Sequence, residues 1–340
     1  MSKAAKIRSN PTTVAEDDLV VTSEATLTAV AINAVLIAVR QAADVLCDRW
    51  TLITLLFAHA GVSRFADFRD RSGISNRELT RRLQTLEQQE ILIRLPYQRR
   101  PLRHSYHLTH MGAQLFDVFA IMLRWERDWR PVRASVLNVV IAHARCSASL
   151  VMPQLKCAYC GDEVLARGMS QLRVNQKAIQ QLPNKEQHYR RSTASIAGSS
   201  ADTRSPLPRI LEIFGDKWTI EIIVAAFMRV RQFGAFQAQL GISANILSDR
   251  CSRLVHLGIL RQAALASDGR SGVYLLTDKG LALYPILLVI QSWADRWLRD
   301  RIRSPLLLTH RSCGQALHFQ IHCDRCGQAL DRSGAQLTIN

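Results

Sequence analysis

The chain has 340 residues, of which 48% are apolar, and its 44 Lys and Arg outnumber 28 Asp and Glu to give a net charge of +16. That length and composition allow two sizeable cores, and such a surplus of positive charge favours a polyanionic partner. The first residues lack a signal-peptide pattern and the longest apolar stretch, 29–39, is too short to cross a bilayer, so we expect a cytoplasmic protein with no membrane partner.

The chain contains an internal repeat. Residues 48–129 match residues 216–297 at a constant shift of 168, without a gap. The matching pieces include DRW with DKW, GIS at 73–75 with GIS at 241–243, and Trp125 and Trp129 with Trp293 and Trp297. A period this long is not that of a solenoid, so the sequence indicates a tandem duplication.

Each repeat opens with an apolar helix that runs into the Asp-x-Trp stretch, followed by a short helix that carries a Phe pair. Ser75 and Glu78 then have the spacing of a capping box, which predicts that a helix begins at Ser75. Leu79, Leu83 and Leu86 recur at helical spacing and predict its buried stripe. The opposite face is polar and basic, which suits a helix that packs on a core and probes a major groove.

Two alternating segments follow this helix and predict a β-hairpin with a basic tip, PYQRRPLR, at residues 96–103. In the second repeat Asp268-Gly269 is a hairpin-turn signal between the equivalent segments. A last amphipathic helix closes each repeat, with Pro285 in the first turn of the second one. Three helices, a hairpin and a final helix are the order of a winged helix-turn-helix.

A short metal-ligand pattern ends each repeat. It reads His-x2-Cys, then nine or ten residues, then Cys-x2-Cys-Gly, and four such ligands suit tetrahedral zinc. We expect two closed, structural Zn²⁺ sites, one within each repeat, and a dithiol redox switch is the alternative. The expected ligands are His143, Cys146, Cys157 and Cys160 in the first repeat and His310, Cys313, Cys323 and Cys326 in the second.

Two cysteines lie outside this pattern. Cys251 aligns with the core residue Leu83 and is expected to be a small buried hydrophobe. Cys47 lies near the end of a helix, and both a packing role and a sensing thiol are open for it.

The sequence therefore predicts a mainly α protein with small β-hairpins, built as two tandem winged helix-turn-helix domains that are each followed by a small zinc-ribbon-like element. The expected boundaries are 24–135 for the first winged domain, 136–168 for its ribbon, 169–203 for a polar linker that starts with a short helix, 204–303 for the second winged domain and 304–335 for its ribbon. Residues 24–38 have no counterpart in the second repeat, and we expect this apolar helix to pack against a terminal helix of the other repeat or of another chain.

The residues resemble the HxlR-type family of bacterial winged-helix transcriptional regulators. The resemblance rests on DRWTLITLL and DKWTIEII, on GISNRELTRRLQTLE and GISANILSDRCSRLV, and on YHLTHMG and YLLTDKG, and it covers about 41–130 and 207–298. It implies DNA binding by the third helix and the wing, and a dimeric arrangement through terminal helices. Because both domains lie on one chain here, we expect an intramolecular pseudo-dimer, and a further homodimer remains open.

The leading hypothesis is a sequence-specific transcriptional regulator that binds double-stranded DNA with two non-identical recognition helices and wings. The expected contact residues are Ser75, Asn76, Arg77, Thr80, Arg81, Gln84, Arg99, Arg100 and Arg103 in the first repeat and Ser243, Asn245, Ser248, Arg250, Arg253 and Arg270 in the second. The alternative is a zinc- or redox-dependent protein-interaction module in which one or both winged helices do not bind DNA. The sequence shows no clear glycine-rich phosphate loop, nucleophile elbow or convergent acid pair, so we do not expect an enzyme.

Overall fold

A computed structural model of the chain describes residues 29–129, 139–148, 150–174, 206–264, 272–298 and 306–339. The turn signal at Asp268-Gly269 and the candidate contact residue Arg270 lie outside these ranges, as does most of the expected linker. Within the described part of the chain, no helix combines the length and the apolar character needed to span a bilayer.

The first half contains six helices and a hairpin in the expected order. Its elements are α1 (Ala29–Leu46), α2 (Arg49–His59), α3 (Phe65–Ser72), α4 (Asn76–Gln88), β1 (Leu92–Arg99), β2 (Leu102–Leu108), α5 (His110–Ala113) and α6 (Phe116–Asp128). Strands β3 (Val139–His143), β4 (Pro153–Cys157) and β5 (Met169–Val174) follow.

The second half repeats this order. Its elements are α7 (Pro208–Phe214), α8 (Lys217–Phe227), α9 (Phe233–Leu240), α10 (Ala244–His256), β6 (Leu260–Ala264), β7 (Gly272–Leu276), α11 (Asp278–Leu281), α12 (Tyr284–Trp297), β8 (Leu306–His310), β9 (Phe319–Cys323) and β10 (Ala335–Ile339). Both halves are therefore winged helix-turn-helix units, with α3–α4 and α9–α10 as the helix-turn-helix pairs and β1–β2 and β6–β7 as the wings.

The Asp-x-Trp stretch breaks the opening helix that we expected to run through it. Asp48 and Asp216 have extended backbones and are the N-caps of α2 and α8, where their carboxylates accept hydrogen bonds from the amides of Thr51 and Thr219 at 2.9 and 3.1 Å. An Asp at this position satisfies a helix amide that has no partner within the helix, so a new helix starts there.

The same two carboxylates also connect α4 and α10, the second helices of the two helix-turn-helix pairs, to the core. Arg82 of α4 donates to Asp48 at 2.7 Å, and Arg250 of α10 donates to Asp216 at 2.7 Å. The side chains of both arginines are less than one-fifth exposed. Each Asp therefore fixes the start of one helix and the position of another.

The Gly-Ile-Ser triplet forms the turn between the helix-turn-helix pair. Gly73 ends α3 in the left-handed conformation (φ 68°), where a residue with a Cβ is disfavoured. Ile74 is buried, and Ser75 accepts a hydrogen bond from the Glu78 amide as the N-cap of α4, as the capping-box spacing predicted. Leu79, Leu83 and Leu86 form the buried stripe of this helix, also as predicted.

The strands after the winged units form a single interleaved ribbon. In three antiparallel ladders β3 pairs with β10, β4 with β9 and β5 with β8, so each ladder joins one strand from each half. At a shift of 166 residues β4 matches β9, and Leu155 faces Ile321 at the centre of their ladder. This ladder therefore lies on the pseudo-two-fold axis that relates the halves.

Two expectations about this region were wrong. Residues 169–174 belong to strand β5 and are neither linker nor helix, because their backbone pairs with β8. A ribbon-like element follows each winged unit, as expected, but it is not self-contained, since each of its named strands pairs with a strand of the other half.

The opening helices are exchanged between the halves. Helix α1 packs against α8 and α12 of the second half, as expected for the extra apolar segment, and α7 packs against α2 and α6 of the first. Arg40 of α1 forms an ion pair at 2.8 Å with Glu221 of α8, which is buried. In the other direction, the Glu126 carboxylate of α6 accepts from the amide of Ile210 at 2.8 Å, at the start of α7.

The closing helices α6 and α12 pack against each other and form a reciprocal pair of contacts. The indole of Trp125 donates to the carbonyl of Lys279 at 3.2 Å, and that of Trp293 donates to the carbonyl of Met111 at 3.1 Å. These residues are equivalent at the repeat shift of 168. Buried apolar residues of both halves and of the ribbon form one continuous core, so the halves do not have separate interiors.

We expect Asp216→Ala to lower the free energy of unfolding by about 1–3 kcal/mol, because it removes a helix cap and leaves the half-buried Arg250 without this partner. Chemical denaturation followed by circular dichroism measures the change. Asp249→Ala is the matched control, since Asp249 contacts the same guanidinium but is exposed and caps no helix. Equal losses in the two variants would contradict this role for Asp216.

Candidate nucleic-acid interface and metal sites

The polar face of α4 is open to solvent. Every residue predicted for it is exposed, namely Ser75, Asn76, Arg77, Thr80, Arg81 and Gln84. Three of these side chains also bond within the helix. The Ser75 hydroxyl caps its first turn, the Thr80 hydroxyl donates to the Asn76 carbonyl at 2.8 Å, and Arg81 donates to both carboxylate oxygens of Glu78 at 2.7 and 3.0 Å. Arg77 is therefore the residue best placed to reach a base edge from this face.

Glu78 connects this surface to the core. Its carboxylate also accepts from Arg82 at 2.7 Å, and Arg82 in turn reaches Asp48. Burial raises the pKa of Glu78, but the contacts to Arg81 and Arg82 outweigh it, and the pKa lies below its usual range. The recognition helix is thus held at its N-terminal end by a chain of charged hydrogen bonds.

The wing of the first half carries the expected basic tip. Arg99, Arg100 and Arg103 are all exposed at the end of the β1–β2 hairpin, and β1 packs against α4. The tip and the helix face therefore belong to neighbouring elements, as a winged helix requires.

The same hairpin has an apolar strip that we did not predict. Ile93, Leu95 and Tyr97 alternate along β1 and are each about half exposed, and Leu102 is 62% exposed. The Arg64 guanidinium lies 5.0 Å from the centre of the Tyr97 ring. The period-two pattern of β1 was visible in the sequence, but only the structure shows that this face is uncovered within the described residues.

Among the described residues, the polar face of α10 is less basic than that of α4. Ser243, Asn245 and Ser248 are exposed on α10, as expected. Arg253 is half-buried. The Arg250 guanidinium forms ion pairs with Asp216 and Asp249, so it stabilises the second half and does not extend from the exposed face of α10. Ile246, which is 37% exposed, occupies the position of Glu78.

The eight expected metal ligands come together in two sites, but the grouping by repeat was wrong. The first shared site consists of His143, Cys146, Cys323 and Cys326, and the second shared site consists of Cys157, Cys160, His310 and Cys313. Each takes His-x2-Cys from one half and Cys-x2-Cys from the other. Because β4 is extended, its five residues advance the chain by about 16 Å. Cys157 and Cys160 are thereby separated from His143 and Cys146 of the same half.

The distances within each site fit the edges of a tetrahedron around zinc. With Zn–S near 2.3 Å and Zn–N near 2.0–2.1 Å, those edges are about 3.8 Å between two sulfurs and about 3.6 Å between sulfur and nitrogen. In the first shared site the Nδ1 of His143 lies 3.5 and 3.4 Å from the Sγ of Cys146 and Cys326, and the Sγ atoms of Cys146 and Cys323 are 3.9 Å apart.

The second shared site repeats these values. The Nδ1 of His310 lies 3.3 and 3.6 Å from the Sγ of Cys160 and Cys313, and the Sγ atoms of Cys157 and Cys313 are 3.9 Å apart. In each site all four ligand atoms lie within 4.8 Å of one another. The donor set and its spacing therefore fit a tetrahedral metal ion in both sites.

Tight backbone turns present the cysteine pairs. Gly161 and Gly327 follow the last cysteine of each pair with φ of 80° and 70°, as expected for this glycine. Their amides donate to the carbonyls of Cys157 and Cys323 at 3.0 and 2.9 Å. Burial raises the pKa of Cys157, but hydrogen bonds from the backbone amides of Cys160 and Tyr159 and contacts with the Cys160 and Cys313 sulfurs lower that pKa overall.

The two remaining cysteines lie in the core. Burial raises the pKa of the Cys47 thiol to about 12 and that of Cys251 to about 11. Cys251 is fully covered in the stripe of α10, as expected from its alignment with Leu83. A buried, protonated thiol is a poor nucleophile, so the packing role fits Cys47 better than the sensing role.

Comparison with known proteins places these features in a family. The family model described as HxlR-like helix-turn-helix matches twice, at residues 45–134 and 213–302. An HTH-type transcriptional regulator of Mycobacterium tuberculosis is 34% identical over 122 residues, which are 36% of this chain and 77% of that protein. YvaP of Bacillus subtilis, also named an HTH-type transcriptional regulator, is 30% identical over 91 residues, or 26% of this chain and 84% of that protein.

Among solved structures, the crystal structure of PA1607 is 34% identical and aligns with 38% of this chain and 91% of its own, with a TM-score of 0.34. The two family matches together span more than half of the 340 residues, in the same two segments that the repeat defines. The chain belongs to the HxlR-like helix-turn-helix family and carries two copies of its domain.

Proposed function

We propose that the protein is a transcriptional regulator that binds specific duplex DNA with α4 and the β1–β2 wing of the first half and with α10 of the second. The observation that carries this proposal is the fully exposed Asn, Arg and Thr face of α4, beside a wing whose tip carries three exposed arginines. Arg77 can donate to guanine and Asn76 can pair with adenine, while Arg99, Arg100 and Arg103 can contact phosphates or a minor groove. The names of the relatives support the same role.

The two halves act as a pseudo-dimer that reads two unequal half-sites. Residues 64–104 contain ten Arg against five acids, whereas residues 231–272 contain five against two. In the second half Arg250 is engaged with Asp216, so Ser243, Asn245 and Ser248 supply most of the reading surface there, and Arg253 lies on the same helix. Arg270, in the tip of the second wing by sequence, completes the expected set. The operator is therefore an imperfect palindrome whose halves lie about one helical turn, or a multiple of it, apart.

Two Zn²⁺ ions stabilise the ribbon. Each shared site offers four protein ligands and no open position for a substrate, which fits a structural role rather than a catalytic one. The competing function is that of a zinc- or redox-dependent protein-interaction module, and the exposed apolar strip of the first wing is the feature that favours it.

We expect the protein to select specific duplexes from a random pool and to bind them with an affinity that falls steeply as salt rises, because phosphate contacts release counterions. Arg77→Ala should cost about 1–3 kcal/mol on a selected duplex and relax the preference in one half-site only. Fluorescence anisotropy at two salt concentrations measures both effects.

Arg167→Ala is the matched control, since it removes an exposed arginine that pairs with Asp278 at the edge of the ribbon. It should leave the sequence preference unchanged. Binding that is absent or insensitive to salt would favour the protein-interaction alternative.

We expect the purified protein to contain two zinc ions per chain, measured by elemental analysis. Replacement by Co²⁺ should give the intense visible absorption of tetrahedral cobalt, with charge-transfer bands from thiolate ligands. A six-coordinate cobalt spectrum, or a chain that retains no metal while its thiols are reduced, would contradict the zinc assignment.

We expect alkylation of the folded, chelator-treated protein at pH 8 to modify six cysteines and to spare Cys47 and Cys251, because burial keeps those two thiols protonated and covered. Mass spectrometry of peptides gives the modified positions. Unfolding in denaturant is the control and should expose all eight. Rapid modification of Cys47 in the folded protein would restore the sensing hypothesis.

A further inference from the structure

We propose that the two shared metal sites lock the two winged halves at the spacing needed for a two-half operator, so that metal occupancy sets the affinity for that operator and not for an isolated half-site. The proposal rests on the DNA-binding function above and extends it to regulation by soft divalent metal ions such as zinc. Its structural basis is that each shared site takes two ligands from each half.

Neither half contains a complete site. Each contributes only two of the four ligands of the first shared site and two of the second. A pair of ligands holds zinc far more weakly than four, so strong binding requires the halves to be in register. By thermodynamic linkage, the free energy by which a bound ion stabilises the aligned halves equals the free energy by which alignment strengthens binding of the ion.

The backbone around the sites is exchanged in the same way. The amide of Ala144 donates to the carbonyl of Gly334 at 2.9 Å beside the first shared site, and the amide of Arg311 donates to the carbonyl of Gly168 at 2.8 Å beside the second. The imidazoles of His143 and His310 are 1% exposed. A metal ion at either site would thus close a small contact, with a buried histidine on one side, that involves both halves.

The ribbon is connected to the helices that set the spacing of the halves. From α6, Arg127 donates to the carbonyl of Val139 on β3 at 2.6 Å and Arg124 donates to that of Pro153 on β4 at 3.2 Å. Because α6 packs against α12, a change in the ribbon reaches the contact between the two halves.

The helix contacts between the halves do not involve the metal ligands. Because the exchanged helices α1 and α7 and the Trp125 and Trp293 pair need no metal, removal of the ions should leave the halves joined and each winged unit folded, and we expect it to loosen their spacing only through the ribbon contacts with α6. Each winged unit can then still bind its own half-site. The affinity for a two-half operator falls, because binding both half-sites must also restore the spacing between the units.

Two matched double variants test the shared sites. Cys146→Ser with Cys326→Ser removes two ligands of the first shared site and should leave one metal ion per chain after dialysis against a chelator. Cys146→Ser with Cys160→Ser removes one ligand from each shared site and should leave none. The reverse pattern, with one ion retained only in the second variant, would show sites within each repeat and overturn the proposal.

A second measurement uses the unaltered chain in case either variant loses its helical circular dichroism. Under limiting chelator and alkylating reagent, molecules modified at Cys146 should also be modified at Cys323 and Cys326 and remain protected at Cys157 and Cys160. Joint modification of Cys146 with Cys157 and Cys160 instead would overturn the shared grouping.

DNA binding tests the lock itself. Removal of metal should lower the affinity for a two-half operator at least tenfold and change the affinity for either half-site alone by less than about twofold, and added Zn²⁺ should restore the first value. Equal affinity of the loaded and metal-free protein for the two-half operator would overturn the lock. The metal content of the two double variants is measured without DNA. A protein that binds no duplex, with or without metal, would therefore contradict the DNA-binding function, while the metal content would still test the shared sites.

Discussion

The arrangement of the protein depends on the pairing of backbone across its two halves. Within the described residues, each of the six ribbon strands, β3 to β5 and β8 to β10, forms its ladder with a strand of the opposite half. A strand with unpaired amides and carbonyls at a buried position is costly, so the ribbon forms only when both halves are present. The ligand pairs lie on these strands or on the turns beside them, and the grouping of the metal sites follows directly from the ladders. Structural zinc in small domains contributes about 10–16 kcal/mol of apparent binding free energy, which is enough to dominate the stability of a ribbon this small.

The exchange extends through three layers of the molecule. The opening helices α1 and α7 pack on the opposite halves, the closing helices α6 and α12 carry reciprocal indole hydrogen bonds, and the ribbon strands interleave. An arrangement of this kind is what two identical chains would form around a two-fold axis. In a single chain the two copies are free to differ, and they do so on the polar faces of α4 and α10 while the contacts near the axis stay equivalent. Arg77 has Asn245 at its matching position, whereas Trp125 retains Trp293.

Much of this could be predicted from the sequence because local rules decide it. The capping pair at Ser75 and Glu78, the leucine stripe of α4 and the left-handed glycine before it each depend on a few neighbouring residues, and each is found in the structure. The choice of the eight candidate metal ligands was equally local, and they come together in two groups. The pairing of those side chains was not, because the His-x2-Cys pair of either repeat has the same spacing and chemistry and fits either Cys-x2-Cys pair. Only the extended path of β4 and β9 decides between the two groupings, and the sequence pattern does not show which partner a strand takes. For the same reason the strand at 169–174 was taken for linker: its partner, β8, is more than 130 residues away in the chain.

The shared ligand sets also constrain when the protein can mature during its synthesis. Ribosomes release the chain from its amino end, and a nascent chain that has reached only the first ribbon segment carries His143, Cys146, Cys157 and Cys160, four ligands that the structure assigns to two different sites. The second shared site can close only after Cys313 has emerged, and the first only after Cys326. Neither four-ligand set can therefore be complete until the second ribbon segment has been synthesised, so a shorter product has incomplete ligand sets and strands without their ladder partners.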